Sequence, residues 1–205
     1  MPPAENPYPG NFTKQGARRH SVNTKNRQPL AVLGAGSWGT ALAGLVAHHG
    51  HPVLLWTRDH THAQEMIATG RNQRFLGSLA LPSGVEPTAQ FNRAVDEAHH
   101  YVIAVPSHAF RSVLNRLNDA LTGCSEPPQI CWGTKGFEPN SGRLPSAVFH
   151  EVLTTHGTVP AVISGPSFAN EVALGFPTAL TVGCEDDAAT QQFTNWFRNE
   201  RVRVY

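Results

Sequence analysis

The sequence predicts a doubly wound α/β fold with a mostly parallel sheet. Three observations predict it. PLAVL at 29–33, PVLLW at 52–56 and YVIAV at 101–105 are short runs that are apolar throughout, as strands buried on both faces must be. The stretches between such runs have helical spacing; 107–121 places apolar residues at 110, 113, 114, 117 and 121. Glycines and prolines punctuate the borders. Strands alternating with helices leave a parallel sheet covered on both sides as the natural solution.

Each element has a local reason. The first strand, 29–33, runs into glycines. A helix follows over 37–49, with Gly50 as its terminating residue. The second strand is 52–56. Asp59 or Thr61 opens the next helix, which runs to about 69; Thr61 and Gln64 have capping-box spacing. Residues 70–90 contain Gly77, Pro82, Gly84 and Pro87 and are expected to be an irregular connection. A short helix over 91–97 precedes the third strand, 101–105, which Pro106 stops. Beyond the helix 107–121 come a strand at 129–132, a helix at 144–155, a strand at 161–163 and a short helix at 167–174. A strand at 178–182, a helix at 186–198 and a final strand at 201–205 complete the chain.

Composition narrows the function classes. The 205 residues suffice for one large domain or two small ones. Of the net charge of +1, residues 1–28 carry +4, from five basic residues and Glu5, so the remainder carries −3. That first segment holds four prolines and few large apolar residues, and is expected to be a disordered basic arm. A faintly acidic body makes nucleic acid an unsuitable main partner. No apolar run approaches the roughly 18 residues of a membrane span. The three cysteines, at 124, 131 and 184, have neither zinc spacing nor an even count, which fits a cytoplasmic protein. His48-His49, His60 with His62, and His99-His100 lack a Cys or carboxylate frame, so no metal is expected. The G-x-S-x-G elbow of hydrolases and the lysine of a Walker A loop are absent.

The first strand feeds a phosphate loop. Gly34-Ala35-Gly36-Ser37-Trp38-Gly39 is G-x-G-x-x-G between strand and helix, the context in which that pattern signifies dinucleotide binding in a Rossmann-type fold. Gly34 permits the tight turn, Gly36 lets a pyrophosphate approach the backbone, and Gly39 lets helix pack on strand. The helix N-terminus offers free N–H groups and the positive end of its dipole. Ser37 and Trp38 would line the pocket. At the second strand's end stands Arg58, with Asp59 adjacent. A guanidinium suits a 2′-phosphate, so NADP is slightly favoured over NAD as cofactor; Asp59 reads as a helix cap.

Ligands of open parallel sheets bind beyond the carboxyl ends of the strands. Three further segments reach that edge: 105–107, Gly133-Thr134-Lys135-Gly136, and Ser164-Gly165-Pro166-Ser167. Lys135 is a cation in a glycine-flanked turn, and Gly165 and Ser167 stand where a helix begins. Spacing alone leaves a substrate site and a plain solvated turn equally open here.

Five blocks, GAGSWGTALA (34–43), LLWTRD (54–59), VPSHAFR (105–111), WGTKGFEP (132–139) and ISGPSFANEVALGFPTAL (163–180), resemble the cofactor domain of bacterial-type NAD(P)-dependent glycerol-3-phosphate dehydrogenases. The segment from Asn72 to Pro82 resembles the family's N-x-x-F/Y-L…L-P stretch. The resemblance runs from about 29 to 205, and the arm 1–28 has no counterpart in it. It implies reduction of dihydroxyacetone phosphate to sn-glycerol 3-phosphate, the backbone of glycerophospholipids. Carried over position by position, Ser37, Trp38 and Arg58 contact the dinucleotide, Lys135 contacts cofactor and substrate, Gly165 and Ser167 the substrate, and Ala169 the cofactor. It also implies that the family's proton-transferring lysine, in a G-G-x-x-K-N segment, would lie beyond Tyr205, so no catalytic residue is expected in this chain. The helical C-terminal substrate domain would be absent too. The domains expected are the arm 1–28 and a cofactor-binding domain 29–205, a partial form with little turnover alone, and a homodimer for the full-length protein. A second function class is a non-catalytic nucleotide-binding or redox-sensing module that retains only the Rossmann domain.

Overall fold

The structure, a computed structural model, describes residues 29–122, 126–153 and 157–205. The arm expected over 1–28, Cys124 and the last residues of the helix expected over 144–155 lie outside the described residues.

Eight strands form one sheet in the order β3-β2-β1-β4-β5-β6-β7-β8. The central strand β1 (Leu30–Leu33) lies parallel between β2 (Val53–Trp56) and β4 (His100–Ile103). Outward on one side is β3 (Val85–Thr88); on the other are β5 (Gln129–Trp132) and β6 (Pro160–Ser164). These six strands are parallel. β7 (Thr178–Cys184) then turns back antiparallel to β6, and β8 (Val202–Val204) runs parallel to β7. The connection from β6 to β7 contains only the short helix α7 (Ala169–Ala173), and β7 pairs directly beside β6.

Successive strand side chains face opposite sides of a sheet, and the core divides accordingly. Leu30, Val32, Val53, Leu55, Val102, Cys131 and Ile163 face α1 (Ser37–His48), α7 and α8 (Asp187–Phe197). Ala31, Leu33, Leu54, Trp56, Tyr101, Ile103, Ile130 and Trp132 face α4 (Phe91–Asp96), α5 (Ser107–Ala120) and α6 (Pro145–Val152). α5 buries Phe110, Val113, Leu114 and Leu117, the stripe that its spacing predicts. Each such side chain contributes up to ~1.5–3 kcal/mol.

α2 (His60–Thr69) starts after Asp59, whose carboxylate accepts from His62 N at 3.0 Å. Asp59 is thus the cap, and Thr61 lies inside the helix. Gly70 ends it in the left-handed conformation, φ 63°. The stretch expected to be irregular, 70–90, holds two elements, α3 (Gln73–Leu76) and β3. β3 contains Pro87, which argues against a strand in sequence. It stands at the sheet edge, where a strand has a free side on which a missing N–H is tolerated. Among the described residues no helix is long and apolar enough to cross a membrane.

Candidate functional site

β1 sits where the chain's crossovers reverse direction: β2 and β3 lie to one side of it and β4, β5 and β6 to the other. A crevice opens at such a switch point, outside the carboxyl ends of the strands. The glycine turn after β1 lies at its centre, and its glycines answer to different constraints. Gly34 has φ 123°, and a Cβ there would run into the backbone of Ala104. A Cβ on Gly39 would collide with the Gly34 carbonyl. The fold itself demands both. Gly36 differs. Its φ of −72° and ψ of −178° suit any residue, and a Cβ would meet nothing within 4 Å. Gly36 is the N-cap of α1, whose first turn contains no acidic residue, so the positive end of the helix dipole is left for a ligand.

Trp38, in the first turn of α1, lies edgewise against β5's end. A Cβ on Gly133 would stand 2.5 Å from its Nε1, so the glycine makes room for the indole. That Nε1 is buried without a hydrogen-bond partner among the described residues. Lys135 extends from the same turn, its Nζ 5.9 Å from the Trp38 ring centroid and 3.5 Å from the Gly165 carbonyl oxygen. Thr134, buried beside it, donates from Oγ1 to the Val105 carbonyl at 2.8 Å and ties the turn to the end of β4. The structure therefore brings Trp38, Lys135 and Gly165 together from α1, β5 and β6.

Gly165 and Ser167 are held against β7. A Cβ on Gly165 would lie 2.6 Å from the Ala179 carbonyl oxygen, and Ser167 donates from Oγ to the same oxygen at 3.3 Å. The helix expected from 167 begins two residues later, at Ala169, and is five residues long. Ser167 precedes it and caps nothing. Ala169 is half-buried and packs toward the α1 side of the core. Arg58 stands apart, exposed beyond the end of β2, on the opposite side of β1 from β5 and β6. It makes no hydrogen bond or ion pair among the described residues, whereas Asp59 is taken up by the helix cap and by Arg74 at 2.6 Å. The bond from His62 N first, and then Arg74, hold the Asp59 carboxyl below its ordinary pKa.

Two groups escaped the sequence reading. Arg111 of α5 reaches Glu138 bidentately, at 2.6 and 2.9 Å, and Glu151 of α6 at 2.8 Å. Ser141 adds a bond to Glu138 at 2.6 Å. Arg111, then Ser141, lower the Glu138 carboxyl to about 2. Glu138 stands three residues after Lys135, so this clamp ties the segment that carries Lys135 to α5 and α6. Both partners lie in blocks singled out in sequence, but a pairing across 27 residues has no local signal. The second group surrounds Asn72, whose buried side chain donates to the Ala35 carbonyl oxygen at 2.9 Å. No set of three metal-ligating side chains is gathered among the described residues.

A parallel sheet in this strand order, with a glycine turn between its first strand and first helix, defines a nucleotide-binding domain of the Rossmann type. Comparison with known proteins sharpens the class. Residues 29–190 match the family model of the NAD-dependent glycerol-3-phosphate dehydrogenase N-terminus. The chain is 46% identical over 185 residues to glycerol-3-phosphate dehydrogenase [NAD(P)+] of Xylella fastidiosa strain M23, covering 90% of this chain and 51% of that protein. It is 42% identical over 177 residues to the protein of the same name from Xanthomonas oryzae pv. oryzae, covering 86% and 50%. The crystal structure of glycerol-3-phosphate dehydrogenase from Coxiella burnetii superposes with a TM-score of 0.80 at 36% identity, over 87% of this chain and 53% of that one. The chain belongs to the glycerol-3-phosphate dehydrogenase family, and it spans about half the length of the curated relatives it matches.

Proposed function

We propose that residues 29–205 are the cofactor-binding half of an NAD(P)H-linked dehydrogenase that reduces dihydroxyacetone phosphate to sn-glycerol 3-phosphate. The observation that carries the reading is Gly36: neither its backbone angles nor its packing requires a glycine. Open space at the N-terminus of an uncompensated helix is what a pyrophosphate needs. Trp38 supports it, because its buried indole N–H lacks a partner among the described residues and a ligand can supply one.

The nicotinamide, when bound, supplies the hydride. The chain's residues bind and orient. The N–H groups at the start of α1 hold the pyrophosphate, with Ser37 and Trp38 lining its path. Arg58 holds the adenosine end, and its charge favours NADP slightly over NAD. Lys135 provides the cation of the substrate end, its Nζ 3.5 Å from the carbonyl oxygen of Gly165, which stands two residues before Ser167. Beside a nicotinamide it would attract the substrate phosphate or stabilise charge developing on the carbonyl oxygen. Ala169 flanks the cofactor. Lys135 is the only lysine in the body of the chain, and we assign it electrostatic positioning and no proton transfer. On this reading the product enters glycerophospholipid synthesis, and the protein works in the cytosol, a reading that its cysteine usage supports.

The test is a fluorescence titration of the chain with NADPH and with NADH. Both are expected to bind. Arg58→Ala weakens NADPH more than NADH; equal losses would remove the 2′-phosphate role, and no binding of either cofactor by the unaltered chain would overturn the whole reading.

A further inference from the structure

Asn72 stands at the N-cap of α3, where an asparagine side chain ordinarily accepts from the helix backbone. It does not cap α3. Its side chain turns inward and is fully buried. Nδ2 donates to the Ala35 carbonyl oxygen at 2.9 Å and to Thr40 Oγ1 at 2.7 Å. Thr40 Oγ1 in turn donates to the Gly36 carbonyl oxygen at 2.8 Å. On its other side, Asn72 Oδ1 lies 2.8 Å from His62 Nε2. The Ala35 carbonyl can only accept, so the amide nitrogen must face it and Oδ1 must face the histidine. His62 Nε2 therefore carries a proton and donates. Its Nδ1, 3.4 Å from Thr57 Oγ1, lies toward the end of β2. One buried chain of hydrogen bonds thus runs from the end of β2 through α2 and Asn72 to the glycine turn.

Its target is the part of the turn that faces a phosphate. The peptide bonds are trans, so each C=O points opposite to the N–H that follows it. Directing the Ala35 carbonyl inward onto Asn72 directs the Gly36 N–H outward. Directing the Gly36 carbonyl down α1 onto Thr40 directs the Ser37 N–H out of the helix N-terminus. A Cβ on Gly36 would meet nothing within 4 Å, so no side chain braces this turn; the Gly36 carbonyl also receives the first helical bond, from Thr40 N at 3.0 Å, and the Ala35 plane is the one that Asn72 holds directly. We propose that Asn72 is a positioning residue for pyrophosphate: through Ala35 and Thr40 it preorganises the two N–H groups that receive the anion, and thereby sets dinucleotide affinity. This rests on the cofactor reading above.

The test compares Asn72→Ala and Thr40→Val with the unaltered chain, using two probes and a thermal melt. NADPH carries a pyrophosphate; adenosine 2′-monophosphate does not. Asn72→Ala is expected to raise the Kd for NADPH at least tenfold and Thr40→Val about three- to tenfold, with the Kd for adenosine 2′-monophosphate changed less than twofold. A merely structural role would lower the melting temperature and leave the Kd of the folded fraction where it was, or weaken both probes alike; either result overturns the proposal. Should Asn72→Ala fail to fold, Thr40→Val decides alone, being nearly isosteric. If the unaltered chain binds no dinucleotide, the functional reading falls and this inference with it; if it binds and the variants bind equally well, only the inference falls.

Discussion

Replacing Gly36 by alanine separates the needs of the fold from those of a ligand. Gly36 has φ −72° and ψ −178°, and its added Cβ would have no neighbour within 4 Å. The folded chain therefore accepts the methyl without strain. Alanine gains ~0.4–1 kcal/mol by restricting the unfolded chain and loses a comparable amount as a poor N-cap. The two offset, and stability to urea should change by less than about 1 kcal/mol. Binding should suffer. The methyl occupies the space through which a pyrophosphate reaches the Gly36 and Ser37 N–H groups. Losing one hydrogen bond to a charged group costs ~1.5–3 kcal/mol, a roughly 10- to 150-fold rise in the Kd for NADPH. The assay pairs urea unfolding of the ligand-free variant with an NADPH titration. Unchanged affinity would refute the reasoning, since the open space would then serve no ligand. A stability loss of several kcal/mol would refute it from the other side, since the fold would then demand the glycine.

The opposite pattern is expected at Gly165→Ala. There the new carbon would meet the Ala179 carbonyl at 2.6 Å and Leu180 Cδ2 at 3.0 Å, so the ligand-free chain should lose ~1–3 kcal/mol in urea unfolding; an unchanged midpoint would show that packing on β7 does not explain this glycine. His100 gives an acid dependence. Burial first, then His99 and His51, depress its pKa to about 4, and its Nδ1 accepts from Gln129 N at 3.3 Å, which requires the unprotonated nitrogen. The unfolded histidine takes up a proton near pH 6.5, so its contribution is complete above that pH, declines as the pH falls toward about 4 and levels off below. With its partial exposure the loss is at most ~2 kcal/mol. Urea midpoints at pH 7 and pH 5 should differ less in His100→Phe than in the unaltered chain; equal differences would refute the assignment.

The parts of the fold legible in sequence are those with a local cause. β1, β2 and β4 are apolar on both faces because helices cover both, and that burial is written in the runs themselves. α5 shows its stripe because one face alone is buried. β3 was hidden for the converse reason. VEPT has an exposed Glu86 and a proline, and only its place at the edge, known once the sheet is assembled, makes it a strand. The antiparallel β7 differs again: its residues alternate in burial as an antiparallel strand's do.

The site divides along the same line. The glycine turn announces itself because its residues are contiguous and its backbone shape is unusual. Lys135 was ambiguous until the fold set its ammonium between Trp38 and Gly165, on segments 97 and 30 residues away in sequence. Asn72 is the extreme case. In sequence it lies in a stretch expected to be irregular, and the helix α3 that the structure shows there puts it at an N-cap, a position that local rules would explain. The structure removes that explanation, since the side chain leaves the cap and bonds to Ala35, 37 residues distant. A buried amide in a core is costly unless its partners are met, and here they are met at the back of the glycine turn after β1. A polar residue that forgoes its local role for a distant one is therefore a signal of function that structure can show and a single sequence cannot.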